Sequence, residues 1–140
     1  MTAPNTPQYN GVVVERSFET DLNCIRAILY QANFTAEMAT KLWGMALLYL
    51  QQTTNMSSTM ANTDKLSPNT RFNNKDDLNI EKLQPFERIG FVTIRSRMKK
   101  KLDKQSYKAI MVGIPKHHSN NNYYMYNVET RRIIISRYLR

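Results

Sequence analysis

The sequence predicts an α+β chain, with helices first and a small antiparallel β-region after them. Two observations carry that expectation. Up to about residue 55 the apolar residues recur at intervals of three and four, and after Pro85 they alternate at every second position. The charge changes at the same place. Residues 1–83 hold seven basic and eight acidic side chains, a net of −1, whereas residues 84–140 hold thirteen basic and three acidic ones, a net of +10. The chain of 140 residues therefore divides into a helical part at 1–55, a polar linker at 56–83 and a basic β-region at 84–140.

Residues 1–9 carry Pro4 and Pro7 with few apolar neighbours and read as an extended lead-in, with Asn10 as an N-cap candidate. From Val12, the positions Val14, Phe18, Leu22, Ile25 and Leu29 form one face of an amphipathic helix that runs to about Gln31. After a break at Ala32-Asn33-Phe34, Thr35 can cap a second helix. Its apolar residues Met38, Leu42, Met45 and Tyr49, together with Ala39, Trp43, Ala46 and Leu50, cover more than one stripe. Such a helix expects burial on two sides, and one other long helix supplies only one of them. The expectation is that Phe18, Leu22, Ile25, Leu42, Trp43 and Leu50 are left exposed or are covered by self-association.

The linker is polar and aperiodic, with a short turn of helix possible after Ser67-Pro68. Four short β segments follow: 89–94, 107–112, 123–126 and 132–137. Tyr107, Ala109 and Met111 oppose Lys108, Ile110 and Val112, and Tyr123 and Met125 oppose Tyr124 and Tyr126. Short strands so spaced fit a small antiparallel barrel or a meander.

Several classes of function are excluded or left without support. No apolar run approaches the roughly 20 residues that span a bilayer. Met1-Thr2-Ala3-Pro4-Asn5 has neither the basic nor the apolar region of a secretory signal, so a nuclear or cytoplasmic location is expected. One cysteine, Cys24, excludes an internal disulfide and a Cys-based zinc finger, and reads as a small packed hydrophobe. Glycines at 11, 44, 90 and 113 make no phosphate-binding loop. His117-His118 reads as a pair of loop histidines, and Trp43 as a core residue. Tyr123, Tyr124 and Tyr126 could stack on bases, but alternating strand aromatics read first as core. The +10 charge of the C-terminal part points to a polyanion, DNA or RNA. Candidate phosphate contacts are Arg95, Arg97, Lys99, Lys100, Lys101, Lys104, Arg131 and Arg132, around loops and strand ends.

One segment carries more. Pro7-Gln8-Tyr9-Asn10-Gly11-Val12-Val13-Val14-Glu15-Arg16 resembles the P-x-x-x-G-V-V-E-R stretch of retroviral and retrotransposon integrases, most of all those of copia-type LTR retrotransposons. The likeness continues in order along the chain. Residues 34–49 with Trp43 look like the next integrase helix, and Leu66-Ser67-Pro68 and Leu83-Gln84-Pro85-Phe86 look like spacers. Lys101-Leu102-Asp103, Met111-Val112-Gly113, Tyr124-Met125-Tyr126-Asn127, Glu129-Thr130 and residues 133–137 resemble the family's SH3-like barrel.

The resemblance implies a two-helix remnant of an RNase H-like integrase core, followed by a small antiparallel SH3-like β-barrel. In that family two aspartates and a glutamate hold two Mg2+ or Mn2+ ions for phosphodiester cleavage and strand transfer. Glu15 matches the third acid, as catalytic residue and metal ligand, and Arg16 beside it joins the DNA contacts. The aspartates lie upstream in the family, so an inactive chain that binds no metal by itself is implied. Other departures point the same way: an extra valine between Gly11 and Glu15, Phe18 and Glu19 where polar or basic residues face DNA, and Glu87 where a glycine follows the phenylalanine. The final strand also ends Ser136-Arg137-Tyr138-Leu139, where the family has an aspartate after the arginine. The implied partners are DNA or RNA, with self-association through exposed helices and no membrane. The alternatives are a freestanding basic nucleic-acid-binding barrel and a transposon relic without function.

Overall fold

The computed structural model describes residues 8–58, 60, 64–74, 83–94, 102–115 and 121–137. Helix α1 spans Gln8–Gln31 and helix α2 spans Ala36–Met56. Helix α1 begins before the expected Asn10 cap, so Asn10 and Gly11 lie inside the helix.

The turn between the helices is as expected. Asn33 takes φ +49°, a left-handed conformation that asparagine tolerates, and Thr35 caps α2 by accepting from the Met38 N–H at 3.4 Å. Ser67 does the same for the short helix α3, Pro68–Asn73, accepting from the Thr70 N–H at 3.1 Å, with Pro68 in the first turn.

The β-region is a four-stranded antiparallel sheet in the order β1-β2-β3-β4, with β1 at Ile89–Thr93, β2 at Ser106–Gly113, β3 at Tyr123–Asn127 and β4 at Arg132–Ser136. The α+β class with a C-terminal SH3-like β-region is thus what forms. Each connection joins neighbouring strands, and among the described residues β1 and β4 are the two edges. One row of register runs Ile89, Ile110, Tyr126, Ile133 across all four strands, and the next runs Gly90, Ala109, Asn127, Arg132. The pairing shifts between Met111 and Gly113, so Val112 is the extra residue of a β-bulge.

The sheet buries both faces. One holds Val92, Ala109, Met111, Tyr123 and Met125 in a tight cluster. On the other, Val112 and Tyr126 join Ile25 of α1, Leu42 and Ala46 of α2, and Phe86. Phe86 lies with its ring centroid 5.4 Å from Tyr49 and 6.3 Å from Phe34, and the Tyr49 hydroxyl donates to the Gln84 carbonyl at 2.8 Å. Gln52 of α2 reaches just past the C-terminal end of β2, donating to the Ile114 carbonyl at 2.9 Å.

This corrects the expectation that the helices lack a second partner. Ile25 and Leu42 are 5% and 1% exposed within this chain, because the outer face of β2 and β3 supplies the wall that α2 needs. The exposed remainder is narrower than expected. Phe18 is 63% and Trp43 53% exposed, while Leu22 and Leu50 are half-buried. Residues 14–20 of α1 are all exposed, so only the C-terminal half of that helix joins the core. No helix of the described residues is long and apolar enough to cross a membrane.

Candidate nucleic-acid interface

The basic residues of the β-region are presented by two devices. The first is the β3–β4 turn. Asn127 is buried, and its side-chain oxygen accepts from the Glu129 N–H at 2.9 Å and the Thr130 N–H at 3.2 Å. That local turn frees the chain to reverse through Arg131, which takes φ +54°, and puts Arg132 at the start of β4. Both arginines are exposed. The second device is the alternation of β2, which leaves Lys108 exposed between the buried or half-buried Tyr107 and Ala109.

Not every cation here is equally available to a phosphate. Arg131 Nη1 lies 2.6 Å from the Glu37 carboxylate of α2, and Lys104 Nζ lies 3.0 Å from the Glu129 carboxylate. Glu37 also takes a 2.9 Å contact from Lys41, one turn along the same helix. The hydrogen bond from Lys41 and then the Arg131 guanidinium hold the Glu37 carboxyl below its ordinary range. These pairs are solvent-exposed and screened by water and salt, so a polyanion can displace them at small cost. Among the described residues no ion pair engages Lys108 or Arg132. The two leave the sheet on opposite faces, since Lys108 shares a face with Ile110 and Arg132 lies in the row of Ala109.

Arg95, Arg97, Lys99, Lys100 and Lys101 lie outside the described residues. Lys108 was absent from the sequence-based candidates. Alternation put it on one side of the strand with Ile110 and Val112, and only the packing of the sheet shows the core ending short of it.

Glu15 and Arg16 sit in the exposed half of α1. Because the helix already includes Gly11, the extra valine puts Gly11 and Glu15 one full turn apart on one face. A Cβ at Gly11 would lie 3.4 Å from Glu15 Oε1. Among the described residues no three His, Cys, Asp or Glu side chains come together as a metal site, and one turn beyond Glu15 stands a second carboxylate, Glu19. Among the described residues, the donors around Glu15 do not make up a two-ion centre.

Tyr123 and Tyr126 are buried and Tyr124 is half-buried against the helices, so these tyrosines are packing residues first. Cys24 is partly buried on α1.

Residues 89–140 match the family model of the retroviral polymerase SH3-like domain, a match that begins at the first residue of β1. No curated protein and no solved structure matches the chain. The basic sheet is thus the part of the chain that is similar to the retroviral polymerase SH3-like domain.

Proposed function

We propose that the chain is a nucleic-acid-binding piece of the integrase region of a copia-type retrotransposon polyprotein. Its ancestral role is DNA integration by metal-dependent strand transfer, and by itself it binds phosphate backbones without that chemistry. The observation that carries this reading is the coincidence of the SH3-like match at 89–140 with the +10 charge of residues 84–140. The ordered motifs from Pro7 to Arg16 and onward support the integrase assignment. The chemistry is absent from the proposal because a two-metal mechanism needs carboxylates on both ions, and the exposed Glu15 supplies one.

Binding by Lys and Arg releases condensed counterions, so affinity falls with salt at a log–log slope of about −0.9 per duplex phosphate contacted. Fluorescence anisotropy of the full chain with random duplex should show binding at low salt that weakens to about the 10⁻⁴ to 10⁻⁶ M class near physiological salt. Replacing Lys99, Lys100 and Lys101 together with glutamine should reduce the slope and leave sequence preference unchanged. No binding at low salt would overturn the reading. Incubation with long-terminal-repeat end DNA and Mn2+ should give no cleaved or joined product. Turnover that disappears in Glu15→Gln would overturn the assignment of an inactive chain.

A second reading has an observation of its own. The shared core of α2, Phe86 and the sheet favours a basic unit that works independently, with its helices as part of the β-domain rather than as an appendage. Binding of the full chain without a need for other integrase segments fits both readings. Enhancement on adding a separate catalytic core would select the first.

A further inference from the structure

Phe91 lies on edge strand β1, directly across from Lys108 of β2, and its side chain is 53% exposed. The neighbouring Val92 points to the other face and is 6% exposed, so the strand alternates cleanly. The face of Phe91 is the face on which the helices pack, but they do not reach this end. Along β2, Val112 is buried, Ile110 half-buried and Lys108 exposed. The helical layer thus stops short of the row formed by Phe91 and Lys108. Opposite residues on paired strands hold their Cβ atoms about 5 Å apart, so an open aromatic ring and a lysine stand side by side. Among the described residues no carboxylate pairs with that lysine.

We propose that Phe91 and Lys108 form a stacking site for single-stranded nucleic acid, the ring carrying one unpaired base and the ammonium the adjoining phosphate. The proposal rests on the nucleic-acid reading above and adds to it a strand preference and two residues. The core leaves the ring more than half open to water, and it leaves Ile89, Ile133 and Ile135 exposed on the same face; of these Phe91 is the aromatic one and the one paired with a lysine. A base gains from such a ring only when its own face is free, as in a single strand. In a duplex the faces are stacked on one another, leaving the phosphates alone to be bound. Every base has a π-face, so the site should tolerate any sequence.

The test is anisotropy of the full chain with labelled oligo-dT and, separately, with a random duplex of equal length. Phe91→Leu keeps an apolar side chain and removes the ring. It should weaken oligo-dT binding by about tenfold, while duplex binding stays within about twofold. Phe91→Tyr should retain oligo-dT affinity, which a purely packing role would not require. Lys108→Gln should lower the oligo-dT salt slope by about 0.7. Circular dichroism and urea midpoints matching the parent show that the variants fold. If the parent binds both ligands and Phe91→Leu weakens neither or both equally, the stacking site is wrong and the basic interface stands. If the parent binds neither, both fall.

Discussion

Truncating Leu42 tests whether the helices and the sheet are one cooperative unit. Leu42 is 1% exposed, in the cluster that joins α1, α2, Phe86, Val112 and Tyr126. Leu42→Ala removes three buried carbons and leaves a cavity bounded by both layers. Substitutions of this kind cost about 2–5 kcal/mol, and full burial argues for about 3 kcal/mol or more. That is a large share of the roughly 5–15 kcal/mol that holds a domain together. With a urea dependence of about 1.5 kcal/mol per molar, the midpoint should fall by about 2 M. The chain offers two well-placed reporters. Trp43, the single tryptophan, sits beside Leu42 on α2. In a background with Tyr9, Tyr30 and Tyr49 of the helices replaced by phenylalanine, the tyrosine signal comes mainly from Tyr107, Tyr123, Tyr124 and Tyr126 of β2 and β3. Tryptophan fluorescence and the near-ultraviolet tyrosine signal should show coincident transitions, and Leu42→Ala should move both together. If the tryptophan transition moves while the tyrosine midpoint stays, the helices unfold separately and the shared core is refuted.

Three further outcomes follow from local geometry. Gly113 closes the bulge at φ +157°, and a Cβ there would lie 3.3 Å from Met45 Cε and from Tyr124 Cδ2. Gly113→Ala should cost about 1–2 kcal/mol by urea denaturation, and less once Met45→Ala has made room. Glu87 holds φ +79°, so Glu87→Gly should raise the urea midpoint by about 0.5–1 kcal/mol of stability, and a fall would show that the side chain itself matters there. Burial pushes the Tyr49 phenol above its ordinary value, against a smaller lowering by a hydrogen bond with the Phe86 backbone. The neutral form is thus favoured in the folded chain. Its contribution is complete below the unfolded value near about 10 and is lost as pH rises through the folded one. Stability measured upward from neutral pH should fall above about pH 10, and Tyr49→Phe should flatten that fall while losing about 1 kcal/mol at neutral pH with the Gln84 hydrogen bond.

The sequence by itself determined what depends on near neighbours along the chain. Period-two alternation placed all four strands to within about two residues at each end and assigned Met111 and Val112 to opposite faces, as the two clusters confirm. Thr35 declared itself as a cap, and Ser67-Pro68 marked the start of a short helical turn, because a cap bonds to an N–H only three residues on. Glu87, which stands where the resemblance has a glycine, adopts the left-handed conformation that glycine would hold more easily.

Tertiary structure decided the rest. Nothing in the period of α2 says which wall covers its second stripe, because burial depends on residues brought from far along the chain, and here Val112 and Tyr126 bring it. The start of α1 was missed because Asn10 and Gly11 suit a cap and a helix interior alike. Arg131 and Lys104 read as free cations until the fold set Glu37 and Glu129 beside them. The pairing of Phe91 with Lys108 is a matter of register between strands, and a shift of one residue would have put the lysine on the other face. Local chemistry fixes which elements form. Which side chains are left to meet a ligand is fixed only when those elements cover one another.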